Sequence, residues 1–446
     1  MKKYLKGLFW GCIGAAFLSA GICFVTKLTD PGYGYSRNKE FMDEGETYDI
    51  LFFGNSHAAH AVYPMELWHN YGMASYNLAG FGIPLPATYW VIKNALDYAQ
   101  PKMVVVDCYS IGREDKTGKK EMLHASLDAI PLNAKKVRMI RDLVDDPKER
   151  LEFYWDFTVY HDRWWDLDQA DFEKSMGLEK GAQIAVDVAP PEEMAREPDK
   201  FIGKETVGTA YLRRIIEECQ SRGIDVLLTY IPFPASEEAW QEAMCAERIA
   251  KEYGVSYINF LDLQVVDLES DCADKDSHLN GSGGRKVTEY IGQYIEKHYD
   301  IPDHRGEDAY AEWDDDYRRY TDYKIDTMRN LQSLDKYLMM CSDPAFSCYI
   351  YVDGDADIWK QNEMYLPLFG NLLGGKTDKL EEAAASGSSY FLVLDNQKGS
   401  RRESVGEEGL FDVEEKDSVA VQITVVNGQD GVIVDNKRFD NRLNQF

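Results

Sequence analysis

Basic residues are scarce in this chain. Among 446 residues, 49 Lys and Arg stand against 77 Asp and Glu, which gives a net charge of −28. A nucleic acid or an anionic membrane surface needs Lys and Arg to neutralise its phosphates. The composition therefore argues against nucleic acid and against docking on an anionic surface. It leaves open a neutral or cationic partner, or simply high solubility.

Cysteine is also scarce. Two of the eight cysteines lie in the N-terminal apolar segment, and the others are Cys108, Cys219, Cys245, Cys272, Cys341 and Cys348. This density is too low for a disulfide framework, and the spacings indicate no metal site. Cys341 and Cys348 are close enough in sequence to pair, but buried free thiols explain them at least as well. We expect neither a metal nor a cofactor.

Long apolar runs are rare apart from one at the N-terminus. Residues 7–25 carry no charge over 19 residues and follow Lys2, Lys3 and Lys6. A helix needs about 20 apolar residues to span a bilayer, and a basic N-terminal flank stays in the cytoplasm. We predict a transmembrane signal-anchor over residues 1–28 of a single-pass cell-membrane protein, with the remainder extracytoplasmic. A cleaved signal peptide is the alternative, although Ser19-Ala20-Gly21 lies inside the apolar run.

Between residues 48 and 300, short apolar runs alternate with helical patterns. Strands are predicted at residues 48–53, 74–78, 103–106, 225–230 and 255–260. Helices are predicted at residues 64–71, 86–99, 205–222, 237–253 and 285–298. This alternation predicts an α/β domain whose parallel sheet is covered by helices on both faces. We assign residues 29–300 to it, with residues 29–47 as an exposed stalk.

An acidic, aromatic insertion interrupts this domain at about residues 114–204. Its aromatic residues between Phe153 and Trp165 suggest either a lid that stacks on sugar rings or a helical subdomain with an aromatic core. We favour the core, because aromatic side chains dominate core energetics.

Residues 301–446 follow a charged boundary that includes Asp314–Asp316. A helical pattern at Ile325–Met340 precedes strand-like runs at 348–352, 390–394, 419–426 and 431–434. These patterns predict a smaller C-terminal α+β accessory domain, whose role the sequence does not indicate.

Two short motifs 222 residues apart carry the residue types needed for acyl transfer. Ser56 follows the first predicted strand and precedes a helix, where backbone N–H groups can stabilise an oxyanion. His278 lies in a polar loop after the fifth strand and is the best candidate for a base. Asp276 would orient the imidazole, with Asp274 as the alternative. Together they would form a nucleophile, a base and an orienting carboxylate.

These motifs resemble the ordered blocks of the SGNH (GDSL-like) hydrolase superfamily. Gly54-Asn55-Ser56-His57 matches the first block, Leu78–Gly82 the second, and Asp274–Asn280 the last. The resemblance implies a three-layer, flavodoxin-like α/β fold. It further implies that Gly80, or in reserve Gly82, donates an N–H to the oxyanion, and that Asn55 and His57 line the site.

Two positions depart from the pattern of that superfamily. The third block usually supplies an Asn, whereas here the third strand ends in Val106-Asp107-Cys108-Tyr109-Ser110, so Tyr109 or Ser110 would have to donate instead. The last block usually places Asp three residues before His, and here Lys275 stands at that position.

The resemblance implies a membrane-anchored, extracytoplasmic serine esterase or O-acyltransferase that acts through an acyl-enzyme. Its expected partners are a cell-surface polysaccharide or wall polymer, the membrane through the N-terminal helix, and envelope-assembly proteins. Two alternatives remain: a catalytically inactive polymer-binding or assembly subunit, and D-alanyl transfer in teichoic acid modification.

Overall fold

The computed structural model describes most of the chain. The described residues are 2–28, 35–45, 47–155, 157–165, 177, 179–189, 191, 194–196, 198, 200–201, 203–275, 278–406, 409–413 and 419–440. Within them, helix α1 spans Lys2–Leu28. No helix in this described part is long and apolar enough to cross a membrane. The anchor predicted over residues 1–28 stays a prediction.

Within the segment predicted as an exposed stalk, residues 35–45 instead form part of the domain. Helix α2 spans Tyr35–Glu44. Its Phe41 is only 4% exposed, and the ring packs with Tyr48 and Tyr76 in the core. Arg37 is 7% exposed and donates to the carbonyl of Ala79. The stalk prediction was wrong for these residues. The high charge of the segment suggested full exposure, but positions 37 and 41, four residues apart on one helix face, are buried.

The first sheet is parallel throughout, as predicted. Its strands are β1 (Ile50–Phe53), β2 (Ser75–Asn77), β3 (Met103–Asp107), β4 (Asp225–Tyr230) and β5 (Ser256–Asn259). They lie in the order β2-β1-β3-β4-β5, the flavodoxin-like order. β1 and β3 are buried along their whole length, so their apolar runs face helices on both sides.

Helices cover both faces of this sheet and occur in the first half of the insertion. The N-terminal ones are α3 (Ser56–Ala61), α4 (Pro64–Tyr71), α5 (Leu85–Ala95), α6 (Lys120–Leu127), α7 (Ala134–Leu143), α8 (Arg150–Tyr154) and α9 (Phe157–Tyr160). They are followed by α10 (Val207–Ser221), α11 (Glu237–Tyr253), α12 (Leu268–Asp271) and α13 (Gly281–His298). In the insertion, Phe153 is buried and stacks on His124, with ring centroids 3.8 Å apart. Trp155 and Trp165 are instead 64% and 74% exposed.

The second sheet is antiparallel and lies in the C-terminal part. Its strands are β6 (Phe346–Val352), β7 (Tyr390–Asp395), β8 (Ser400–Val405), β9 (Val421–Asn427) and β10 (Ile433–Phe439), in the order β10-β9-β6-β7-β8. Helices α14 (Ala311–Asn330), α15 (Leu334–Cys341), α16 (Asn362–Leu373) and α17 (Asp378–Ser386) accompany it. The α+β arrangement is as predicted, although the polar strand β8 was missed. Cys341 and Cys348 are buried free thiols.

Helix α14 packs in the hydrophobic cores of both the parallel-sheet domain and the C-terminal domain. Asp314–Asp316 were interpreted as a boundary, but they lie in the first turns of this helix. Trp313 and Tyr320 pack in the core of the parallel-sheet domain, and Met328 packs in the core of the antiparallel sheet. The helical pattern predicted at Ile325–Met340 is broken between α14 and α15. The first half of α14 therefore packs with the N-terminal domain, although the sequence-based division places it after residue 300.

Candidate active site

Ser56 lies at the sharp turn between β1 and α3. Gly54 has φ +147, and a Cβ added there would lie 2.8 Å from the Cβ of Asp107 on β3, so only glycine fits without displacement. Asn55 is the N-cap of α3, and its side-chain oxygen accepts from the backbone N–H of His57 at 3.0 Å. Ser56 is then the first residue of the helix and stays partly accessible. This places its hydroxyl at the carboxyl edge of the parallel sheet.

His278 contacts Ser56 directly. Its Nε2 lies 2.8 Å from Ser56 Oγ, although the two residues are 222 positions apart. Its Nδ1 lies 2.5 Å from Asp274 Oδ2, and its backbone N–H donates to Asp274 Oδ1 at 2.9 Å. A hydroxyl, an imidazole and a carboxylate thus form a continuous series of contacts, the arrangement by which a base activates a serine.

The orienting carboxylate in this series is Asp274, the alternative named from the sequence. Asp276, the first choice, lies outside the described residues. Its role stays a prediction.

The loop that carries His278 is closed at its base. Cys272 and Leu279 pair as an antiparallel bridge at its base. Asn280 then caps α13, and its side-chain oxygen accepts from the backbone N–H groups of Ser282 and Gly283. The Leu-Asn pair after His278 therefore closes the loop and starts the next helix.

Two further histidines surround this contact. The ring of His57 stacks on Tyr109 with centroids 3.8 Å apart, and the ring of His60 lies 4.7 Å from that of His278. Burial, helped by the neighbouring His278, lowers the pKa of His57 to about 3 and that of His60 to about 4. Both rings are therefore neutral at physiological pH, and neither is a good proton acceptor.

The predicted oxyanion donors lie in different environments. The N–H of Gly80 donates to the carbonyl of Gly54 at 3.1 Å, so it is already used. Gly82 has φ +60, and the space beside it is open. A Cβ added there would have only Met122 within 4 Å, with the nearest atom at 3.6 Å. Asn55 Nδ2 lies 3.3 Å from Ser110 Oγ, which itself donates to the carbonyl of Ile83. Asn55 and Ser110 therefore link the turn between β1 and α3 to the segment before α5.

Three residues near the site were missed by sequence reasoning. Asp107 is fully buried, accepts from the N–H of Ile231 at 3.1 Å, and has its pKa raised to about 7 by burial. Phe233 packs edge-on against His57 at 4.9 Å. Arg37 lies 4.8 Å above the ring of Phe81, in the second motif. Two sequence features could have indicated the first two residues. Asp107 ends an apolar strand, and Phe233 lies in a Pro-Phe-Pro loop after β4.

Comparisons with known proteins add little to this geometry. No protein-family model matches the chain, and no curated protein matches it. Among solved structures, one from Bacteroides fragilis NCTC 9343 that bears the name "putative acylhydrolase" is similar at 10% identity and a TM-score of 0.31. The match covers 60% of this chain and 97% of the other. A TM-score this low supports neither a family nor a function.

Proposed function

We propose that the protein is an SGNH-type serine esterase or O-acyltransferase that forms an acyl-enzyme on Ser56. The observation that carries the proposal is the series of contacts from Ser56 Oγ to His278 Nε2 and from His278 Nδ1 to Asp274. The order of the sequence blocks supports the same family. Neither support depends on the structural neighbour.

The geometry suits two proton transfers through one imidazole. His278 Nε2 takes the hydroxyl proton as Ser56 Oγ attacks the ester carbonyl. As the tetrahedral intermediate collapses, the carbonyl-to-alcohol bond breaks and His278 returns the proton to the leaving alcohol. Water or a sugar hydroxyl then attacks the acyl-enzyme, again losing its proton to His278, which passes it back to Ser56. Asp274 holds the imidazole tautomer and stabilises the imidazolium.

The developing oxyanion needs donors that lie close to Ser56. We assign the backbone N–H of Ser56, with Gly82 in place of the engaged Gly80. The neutral ring of His57 carries one N–H and lies 5.6 Å from the ring of His278, so we count it as a candidate further donor. Removal of a single oxyanion donor costs roughly 10²–10³ in rate in other serine enzymes. An oxyanion hole that lacks one donor would therefore give a slow enzyme.

We further propose that residues 1–28 anchor the protein in the cell membrane, with the catalytic domain extracytoplasmic. The uncharged run over residues 7–25 supports this, as do the exposed Phe9, Trp10 and Phe17 on α1. An anchored enzyme outside the cell would meet a surface polysaccharide or wall polymer. The exposed rings of Trp155 and Trp165 offer flat apolar faces for such a chain.

A second candidate function is a catalytically inactive, polymer-binding or assembly subunit of the same fold. The engaged N–H of Gly80 and the missing Asn of the third block favour it. The D-alanyl transfer alternative uses the same Ser56 and His278 chemistry. It would show itself as a requirement for a carrier-bound D-alanyl donor.

The test is hydrolysis of p-nitrophenyl acetate and labelling by a fluorophosphonate, using the full-length chain in detergent. Ser56→Ala should abolish labelling and lower turnover roughly 10⁴-fold or more. Ser221→Ala, an exposed serine on α10, is the matched control and should behave as the wild type. A wild-type chain that is neither labelled nor active would overturn the enzyme proposal in favour of the binding subunit.

A further inference from the structure

The His278 loop is fixed at its base by backbone hydrogen bonds. The N–H of Ala273 donates to the carbonyl of His278 at 2.8 Å, and the N–H of Asn280 donates to the carbonyl of Asp271 at 2.9 Å. The loop is only a few residues long between these bonds. Any group that holds Asp271 and the start of α13 therefore also restricts the position of His278.

One side chain of the C-terminal domain contacts both ends of this loop. Asn371, near the end of α16, donates through Nδ2 to Ser282 Oγ at 2.8 Å and to Asp271 Oδ1 at 3.3 Å. Asp271 precedes the loop and Ser282 follows it. A single carboxamide thus ties the two sides of the His278 loop together from another domain.

The carboxylate of Asp271 is fully buried, so its contacts matter. Its other oxygen accepts from Lys286 Nζ at 2.6 Å and from the N–H of Asp267 at 2.8 Å. Asn371 supplies the donor to the remaining oxygen. Without that donor, a buried acceptor would be left unpaired, which is costly and favours rearrangement of the loop.

A second contact ties the same helix to the C-terminal domain. Arg285, one turn into α13, donates through Nη1 to Asp343 Oδ2 at 3.2 Å and through Nη2 to Ser342 Oγ at 2.7 Å. Asp343 is itself fully buried. The helix that begins directly after the His278 loop is therefore held at two points by residues 342–371.

We propose that Asn371 is a positioning residue and that the C-terminal domain acts in cis to hold the catalytic base. This inference rests on the proposed function, since it assigns His278 as that base. The carboxamide of Asn371 contacts Asp271 and Ser282. It acts through Asp271 and Ser282, which set the geometry of the loop.

The test compares Asn371→Ala with Asn396→Ala in the full-length chain. Asn396 is the matched control, because its Nδ2 donates two hydrogen bonds to backbone carbonyls, those of Cys341 and Asp343, and not to the Asp343 side chain that contacts Arg285. Both variants lose a carboxamide with two contacts, and we expect similar shifts in melting temperature. A merely structural role for Asn371 would leave the two variants alike in every measurement.

The first readout is the rate of fluorophosphonate labelling of Ser56, with kcat and KM for p-nitrophenyl acetate. Asn371→Ala should lower the labelling rate and kcat about 10- to 100-fold with KM nearly unchanged, because the base is displaced and the acyl site is not. Asn396→Ala should stay within about twofold of wild type. Equal rates in the two variants, in an active protein, would overturn the inference and leave the proposed function standing.

The second readout, hydrogen exchange over residues 271–283, does not depend on activity. Asn371→Ala should speed exchange of the Ala273 and Asn280 amides about 5- to 10-fold relative to Asn396→Ala. Ser282→Ala should give part of the same effect, and adding it to Asn371→Ala should give less than the sum. Unchanged exchange would overturn the inference whether or not the protein is active. An inactive, unlabelled wild type would overturn the proposed function and this inference together.

Discussion

At the scale of single residues, the sequence predicted that Ser56 and His278 lie together, and the structure places them in contact, whereas it named Asp274 only as an alternative. Ser56 and His278 stand at the carboxyl ends of β1 and β5, and that edge of a parallel sheet brings such residues together. The choice between Asp274 and Asp276 depends on the path of a short loop, which no periodicity encodes. In the structure, Asp274 contacts both the backbone N–H and the ring of His278.

Asp274→Asn should therefore harm catalysis far more than Asp276→Asn. An amide at residue 274 would favour the wrong imidazole tautomer, and we expect kcat for p-nitrophenyl acetate to fall roughly 10³–10⁴-fold. Asp276→Asn, with the same change two residues on, should stay within about threefold of wild type. The reverse order of effects would show that Asp276 is the orienting residue.

At the scale of elements, the apolar strands and the helices α10 and α11 of the parallel-sheet domain were predicted, but two charge-rich helices were missed in whole or in part. The run of residues 225–230 was predicted with the bounds that β4 has. Helix α14 was missed over its first half, because three consecutive aspartates, Asp314–Asp316, obscure the buried spacing of Trp313, Tyr317 and Tyr320. Helix α2 was missed for the same reason. In both helices some charged residues are themselves buried, Arg37 in α2 and Lys324 in α14, so charge is a poor guide to the exposed face.

The turn between β1 and α3 requires glycine at position 54. Gly54→Ala should destabilise the fold by about 2–4 kcal/mol, because the new Cβ would meet Asp107 Cβ at 2.8 Å in a backbone conformation that already disfavours side chains.

Gly223→Ala is the control for that conformational cost alone. Gly223 has φ +71 but nothing within 4 Å of an added Cβ, so the loss should be about 1 kcal/mol. Urea unfolding of both variants measures the difference. Equal losses of unfolding free energy would show that the close approach of Gly54 to Asp107 adds nothing to the conformational cost.

At the scale of the whole molecule, a buried ionic cluster joins the two sheets. Lys324 on α14 contacts Glu66 on α4 at 3.0 Å and Asp343, after α15, at 3.1 Å. Burial disfavours the charged form of Lys324 and of Asp343, but their opposite charges keep the pKa of Lys324 raised and that of Asp343 lowered, so this pair is ionised. No pattern in the sequence predicted it, because the partners come from three elements distant in the chain.

Lys324→Met should cost about 3–5 kcal/mol of unfolding free energy, since it leaves the buried carboxylate of Glu66 without its cation. Lys251→Met removes an exposed partner of Glu247 and should cost less than about 0.5 kcal/mol. Urea midpoints followed by intrinsic fluorescence give both values. A small effect at Lys324 would mean that the two domains do not depend on this cluster for stability.

The contact between Ser56 and His278, 222 residues apart, also affects the timing of folding. Contacts between distant parts of a chain form slowly, because a long loop must close before they stabilise anything. A chain made from its N-terminus exposes Ser56 long before His278 exists, and Asn371 follows later still. The proposed nucleophile is therefore without its proposed base until the chain has passed residue 278, and without Asn371 until it has passed residue 371.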